Sequence, residues 1–298
     1  MIVAEVIDVW LAEERQRRDA ERLLTQREGY FWPTECSVPY EVAPGIVVNI
    51  GGCRRKAYYR WHKLGVTNPV QPKSIRKMVM GEIIEEKERE WYRKSGIVIA
   101  EKIKFQDPTH FVSGECDAAV YDPEVGIIGV EVKSYAGYFA EREIEGTKNK
   151  PGFPRLDNLL QTMIYLDRTK LPEFRICYTN RATAEKTEFR IILSAGGFAM
   201  VKNMHRGYES KFTGFSVSDV WPRMSELRTM IGRKQLPECD YKEVYSAEEI
   251  KARYTHGLIS KTAYESYHKS GDPIGDWQCY ATYCSYYDRC KGLIAPAA

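Results

Sequence analysis

"FVSGECDAAVYDPEVGIIGVEVKSY", residues 111–135, decides how this chain folds. On either side of Asp122-Pro123 lies a run of apolar and β-branched residues with the period-2 alternation of a strand, and the dipeptide between them is a turn signal. Asp117, Glu131 and Lys133 nevertheless fall inside those runs. Alternation puts Glu131 and Lys133 on one face of the second strand, and Asp117 lies on its hairpin neighbour. Two carboxylates brought together at a sheet edge repel, an arrangement that becomes tolerable when they share a hard divalent cation such as Mg²⁺ or Mn²⁺. A lysine two residues away suits the orientation of a water or the stabilisation of charge developing on a phosphate.

Away from this hairpin, "GIVIAEKIKF" (96–105) reads as a third strand, preceded by a helix from Ser74 to about Lys94. Val3, Val6, Ile7 and Trp10 have helical spacing, and that pattern continues to about Leu24. Pro33, Pro39, Pro44 and Gly45 break up the next segment, so a loop is expected there. "CRRKAYYRWHKLG" (53–65) is a short basic, aromatic helix ended by Gly65. Beyond the hairpin come an amphipathic helix, "LDNLLQTMIYLDR" (156–168), a second hairpin from "EFRICYTN" and "KTEFRIILS", and a helix over 216–232. This order predicts an α/β fold, a mixed sheet flanked by helices. It divides into an N-terminal helix and loop extension (1–51), a core (52–236), a polar, Tyr-rich helical insertion (237–275) and a cysteine-bearing tail (276–298).

With 298 residues, 43% of them hydrophobic, the chain can bury a sizeable core. No apolar run is long enough to span a bilayer, and the N-terminal residues lack a basic region and cleavage site for export, so a cytoplasmic protein is expected. A formal charge of +3 is too balanced to mark a nucleic-acid binder by itself. Eight cysteines without an export signal point to buried thiols or metal ligation. None of the histidines (His62, His110, His205, His256, His268) has a ligand-like spacing.

An acidic residue two positions before a lysine occurs five times, at Glu85, Glu131, Glu209, Asp240 and Glu249, so the tripeptide alone carries little. At Glu131 it sits in a β-branched strand with Gly-x-x-Asp on the strand before, a combination that fits metal-assisted phosphodiester hydrolysis. In that context it resembles the PD-(D/E)xK nuclease superfamily, in particular the RecB-type branch that includes the AddB nuclease domain and the CRISPR-associated Cas-four exonucleases. Two further motifs support the resemblance. "GEIIE" sets Gly81 in register with the branch's Gly-x-x-x-His and puts Glu85 at the histidine position, a departure that other superfamily members share; an exposed helix glutamate is the rival reading. "QTMIY" matches Gln-x-x-x-Tyr with Gln161 and Tyr165, one turn apart on one helical face.

The resemblance implies a restriction-endonuclease-like mixed sheet and a Mg²⁺- or Mn²⁺-dependent deoxyribonuclease, an exonuclease on single strands or ends rather than an endonuclease. Asp117, Glu131 and the Val132 carbonyl would hold the metal with Glu85, Lys133 would serve the water, and Gln161 would position it or the strand. A DNA-binding adaptor that cuts poorly, within a recombination, repair or CRISPR spacer-acquisition complex, is the alternative. The iron–sulfur members of the branch join one cysteine followed by Arg and aromatic residues to three near the C-terminus, as Cys53 and Cys279, Cys284 and Cys290 resemble. Here the spacing is Cys-x4-Cys-x5-Cys where the family has Cys-x2-Cys-x5-Cys. Four such thiolates suit a 4Fe-4S cluster or tetrahedral zinc, and the lack of paired Cys-x2-Cys knuckles favours the cluster, forming a clasp between the chain ends. Buried thiols are the plainer reading, and it is preferred for Cys116 and Cys177.

"CRRKAYYRWHK" interleaves Arg54, Arg55 and Arg60 with Tyr58 and Tyr59, as a single-strand binder does, though aromatics packed on the core with solvated arginines would read the same. Lys148 and Lys150 lie in a Gly/Pro loop that is either a substrate gate or a solvated connection.

Overall fold

Two strands lie where the prolines predict a loop. β1 (Ser37–Ala43) and β2 (Ile46–Gly51) form an antiparallel ribbon in which Pro39 pairs with Asn49. A two-stranded ribbon has only edge strands, so a proline there need not break a ladder, and Pro44-Gly45 makes the turn, with Gly45 at φ +72°. The computed structural model describes residues 6–15, 17 and 29–293, and the expected helix beyond residue 17 lies outside them. Residues 6–15 are helical.

After the ribbon come α1 (Arg54–Trp61) and α2 (Pro72–Ser95), then β3 (Val98–Asp107), β4 (Val112–Asp122) and β5 (Gly126–Tyr135). Proline at its first turn starts α2, and Gly96 at φ +76° ends it. A short helix α3 (Tyr138–Ile144) and a small hairpin, β6 (Gly146–Thr147) with β7 (Lys150–Pro151), lead to α4 (Leu156–Thr169). The chain then forms β8 (Phe174–Asn180), β9 (Lys186–Leu193), β10 (Ala199–Asn203) and β11 (Glu209–Lys211), and continues through α5 (Val220–Gly232), α6 (Ala247–Thr255), α7 (Lys261–Ser270) and α8 (Tyr287–Cys290).

Seven strands make one mixed sheet in the order β11-β10-β9-β8-β5-β4-β3. Only β5 and β8 pair in parallel, Gly129 opposite Phe174 through Tyr135 opposite Asn180. Parallel neighbours need a crossover, and α4 lies within it. Its Leu159, Leu160, Met163 and Ile164 enter the main core with Ile176, Phe189 and Ile191 of the sheet. Alternation along β5 sends Ile128, Val130 and Val132 into a second cluster with Ala118, Val120 and Tyr92 of α2. Glu131 instead meets α4. The α/β expectation thus holds as a large mixed sheet flanked by helices, and β10 and β11 extend it beyond the five strands read from the sequence.

Residues 237–275 contain the expected helices α6 and α7, but they are not a bare insertion. The Asp240 carboxylate is buried and accepts from Arg54 Nε at 3.0 Å and Arg223 Nη2 at 2.7 Å. Tyr241 donates to Gly51 O at 2.5 Å and Arg253 to Val47 O at 3.2 Å. These anchors are polar and distant in sequence, so hydrophobic periodicity does not disclose them. Among the described residues no helix is long and apolar enough to cross a membrane.

Candidate functional site

Ala118 pairs with Val130 in the antiparallel ladder, so Asp117 and Glu131 would form the next pair. The ladder stops there. Asp117 Oδ2 accepts the backbone N–H of Val132 at 2.7 Å, a side chain taking the place of a strand partner. The carboxylates therefore meet where two interior strands part, rather than at the edge of the sheet, because β3 and β8 flank the pair. Glu131 accepts from Lys133 Nζ and from Gln161 Nε2 at 3.0 Å. Gln161 also donates to the Tyr165 hydroxyl at 2.6 Å, which in turn donates to Glu115 O at 3.0 Å. Tyr165 is buried between Phe105 and Phe174, so it packs and cannot stack on a base. Its function here is to fix Gln161, and through Gln161 to fix Glu131.

From the other side, α2 brings Glu85 and a residue the sequence reading did not single out. Arg89 Nη1 donates to Glu85 Oε1 at 2.5 Å and stands 3.7 Å from Asp117 Oδ1. Its signal in the sequence was an arginine one turn beyond Glu85, a spacing too common on helix surfaces to be read alone.

Burial raises the Asp117 pKa well above the usual carboxylate range, and the Glu131 charge adds to the rise. Burial likewise raises Glu131, against the pull of Lys133. For Lys133, burial works against the charge, but Glu131 and Asp117 outweigh it and hold the ammonium above its ordinary value. Among the described residues no three His, Cys, Asp or Glu side chains already stand in an arrangement for a metal ion. One atom still fits the cation: Glu131 Oε2 is buried and has no hydrogen-bond partner, a costly state for an anionic oxygen. Carboxylate oxygens of this kind are the donors that a hard divalent ion takes.

Five cysteines, Cys53, Cys239, Cys279, Cys284 and Cys290, line one cavity of about 420 Å³. Cys239, which the sequence reading left out, lies among them: its sulfur is 3.5 Å from Cys279 Sγ, with the Cys53 and Cys290 thiols close enough to interact. These neighbours raise the Cys239 pKa and hold it protonated. Cys239 in turn brings Cys53 down to about 7 and Cys290 to about 6, where Arg55 assists. Cys284 is pushed up by burial. Gly51, at φ +93°, lets the chain turn into this cavity; a Cβ there would lie 2.1 Å from Cys36 O. Soft sulfur donors converging on one cavity fit a cluster or a zinc ion. Cys116 and Cys177 stand apart, each raised to about 12, mainly by burial.

Of the two readings of α1, the structure shows the packed one in the contacts of its arginines and tyrosines. Arg54 bonds to Asp240 and Glu226, Arg55 to Pro237 O and, at 3.5 Å, to Cys290 Sγ, and Arg60 to Glu35. Tyr59 is buried against Tyr286, and Tyr58 packs on His62 and the core. The helix carries Cys53 at its start and lines the thiol cavity with Arg55 and Tyr59. Lys148 and Lys150 remain exposed. So do Tyr138, at 62%, and Phe139, at 81%, in the helix that follows the Glu131 strand.

No family model and no curated protein matches the chain. Among solved structures, one titled "Crystal structure of SSO0001" is similar with a TM-score of 0.41 and 13% identity, over 79% of this chain and 89% of that one.

Proposed function

We propose that this chain is a metal-dependent deoxyribonuclease that hydrolyses phosphodiester bonds in single-stranded or end-containing DNA, on a restriction-endonuclease-like sheet of the PD-(D/E)xK kind. One observation carries the reading: where β4 and β5 part, Asp117 and Glu131 are held together in a buried setting with Lys133 beside them and Glu131 Oε2 unpartnered. Asp117, Glu131 and the Val132 carbonyl would hold Mg²⁺ or Mn²⁺, with Glu85 as a further ligand. When bound, such a cation supplies Lewis acidity to the phosphate and lowers the pKa of a water. Lys133 orients the attacking water and offsets the negative charge that develops on the phosphoryl oxygens. Gln161, fixed by Tyr165, holds the Glu131 carboxylate in one orientation. Lys148 and Lys150, with the exposed rings of Tyr138 and Phe139, offer phosphate and base contacts next to that strand.

The thiols would hold a 4Fe-4S cluster whose role is structural, joining the start of α1 to the tail after α7. Cys53, Cys279 and Cys290 belong to its ligand set, and Cys239 and Cys284 compete for the fourth place.

End-labelled linear DNA and closed circular DNA, each incubated with Mn²⁺ and with excess chelator, test the activity. Metal-dependent release of nucleotides from linear DNA, with circles left intact, is the expected result. Tight binding without cleavage would instead identify an adaptor subunit, and cleavage that survives exhaustive chelation would overturn the metal mechanism.

A further inference from the structure

The arginine on α2 has no place in the reading above, yet it is among the most constrained cations in the molecule. Its side chain is 8% exposed, so it is not a solvated surface charge. Nη1 donates to Glu85 Oε1 at 2.5 Å and lies 3.7 Å from Asp117 Oδ1, while Nη2 donates to Glu86 Oε2 at 2.7 Å. Its Nε is buried without a partner. Burying a guanidinium with one donor unsatisfied is unfavourable unless nearby anions offset it. Here the anions are the carboxylates of the candidate metal site.

We propose that Arg89 is the resident counter-cation of this site, holding Glu85 and Asp117 until a divalent ion displaces it. The proposal rests on the metal-site reading of Asp117 and Glu131. Three carboxylates, Glu85, Asp117 and Glu131, face one cation in Lys133, an excess of negative charge that a folded interior tolerates poorly. Arg89 supplies the second cation. It also engages a carboxylate oxygen of Glu85, the third carboxylate of the proposed site. The guanidinium fork has somewhere to go. Glu86 is 58% exposed and already accepts one arm, so the other can leave Glu85 and Asp117 without Arg89 losing every partner. Arg89 is thus a positioning residue that sets how strongly the site takes up its cation.

Mn²⁺ binding to the nucleic-acid-free protein, followed by the electron paramagnetic resonance signal of free Mn²⁺, tests this without reference to cleavage. Arg89→Met removes a charge close to the site and is expected to tighten Mn²⁺ binding by about tenfold. Arg89→Lys keeps a charge but cannot bridge two carboxylates, and about threefold tightening is expected. Arg89→Lys is also the variant to rely on if Arg89→Met does not fold, as judged by its melting transition. Unchanged or weaker binding in a folded variant overturns the proposal while leaving the metal site standing, provided that Asp117→Asn still abolishes binding. If no form binds Mn²⁺, the metal site itself is refuted, and the role of Arg89 with it.

Discussion

Asp117 is held by a backbone N–H that an asparagine could also satisfy, so Asp117→Asn removes a charge with little change of shape. Loss of this ligand is expected to lower cleavage by about a thousandfold, the scale of removing one group that stabilises the transition state. The same substitution should alter stability in the opposite sense. Burial, and then Glu131, raise the folded pKa of Asp117 above its unfolded value. The folded state therefore binds that proton more tightly than the unfolded chain does. The stability gained is complete below the unfolded pKa, about 3.9, and disappears as pH rises through the folded pKa. In chelator, wild-type protein should lose stability as pH rises from the unfolded pKa through the raised folded one, and Asp117→Asn should lack that loss. Near pH 7 the variant should melt about 3 °C higher, the shift that ~1 kcal/mol gives in a chain of this size. Scanning calorimetry at several pH values checks it, and equal pH profiles would contradict the role given to Asp117. Asp117, Glu131, Lys133 and Gln161 were legible because each breaks or punctuates a strong hydrophobic pattern. Arg89 was not, because a charged residue on a charged helix breaks no pattern.

Among the elements, the long strands and α4 were readable from their periods, and their bounds in the structure lie within a few residues of the expected ones. The β1–β2 ribbon and β10–β11 were not. β11 and the two ribbon strands are edge strands with few buried residues, β10 has only five residues, and proline, which argues against an interior strand, is admissible at an edge. The turn between β3 and β4 shows how such local order supports the site. Asp107 accepts the backbone N–H groups of Thr109 at 2.9 Å and His110 at 3.3 Å, and its other oxygen meets His110 Nδ1 at 2.7 Å and the Arg168 guanidinium. Arg168 and His110 in turn lie against Trp221 of α5. Burial works to raise the Asp107 pKa, but His110, Arg168 and the amides outweigh it, and the net shift is downward. A depressed folded pKa gives stability that is present above the unfolded value and is lost as pH falls through the folded one. Asp107→Asn should therefore cost about 2 kcal/mol at neutral pH, as expected for a lost charged hydrogen-bond acceptor, and should flatten the acid limb of the unfolding profile. Urea unfolding at pH 7 and pH 3 distinguishes this from a general weakening, which would lower both equally.

The cysteines that line one cavity come from parts of the chain far apart in sequence, and they show where spacing stops being informative. Cys53, Cys279, Cys284 and Cys290 could be picked out by their Arg- and Tyr-rich surroundings, whereas Cys239 lies in "LPECD", which resembles an ordinary loop. The position of Cys239 follows from Asp240, whose buried carboxylate is fixed by Arg54 and Arg223 and carries its neighbour into the thiol cavity. Ligation there would link α1, residues 237–241 and the tail in a single node, so its loss should be felt as a loss of cooperativity rather than of one contact. The purified protein should be brown, with iron and acid-labile sulfide in similar amounts; a colourless protein with zinc would replace the cluster by a tetrahedral site. Cys53→Ala, Cys279→Ala and Cys290→Ala should each remove the colour and most of the soluble protein. Cys239 and Cys284 then separate the possible ligand sets. The Cys239 sulfur is hydrogen-bonded to the Cys279 thiol and interacts with those of Cys53 and Cys290, whereas among the described residues Cys284 lines the same cavity without a thiol at hydrogen-bond distance. Cys239→Ala is therefore expected to bleach the protein, and Cys284→Ala to keep at least most of its iron. The reverse pattern would return the fourth position to Cys284 and leave Cys239 a buried thiol beside the cluster.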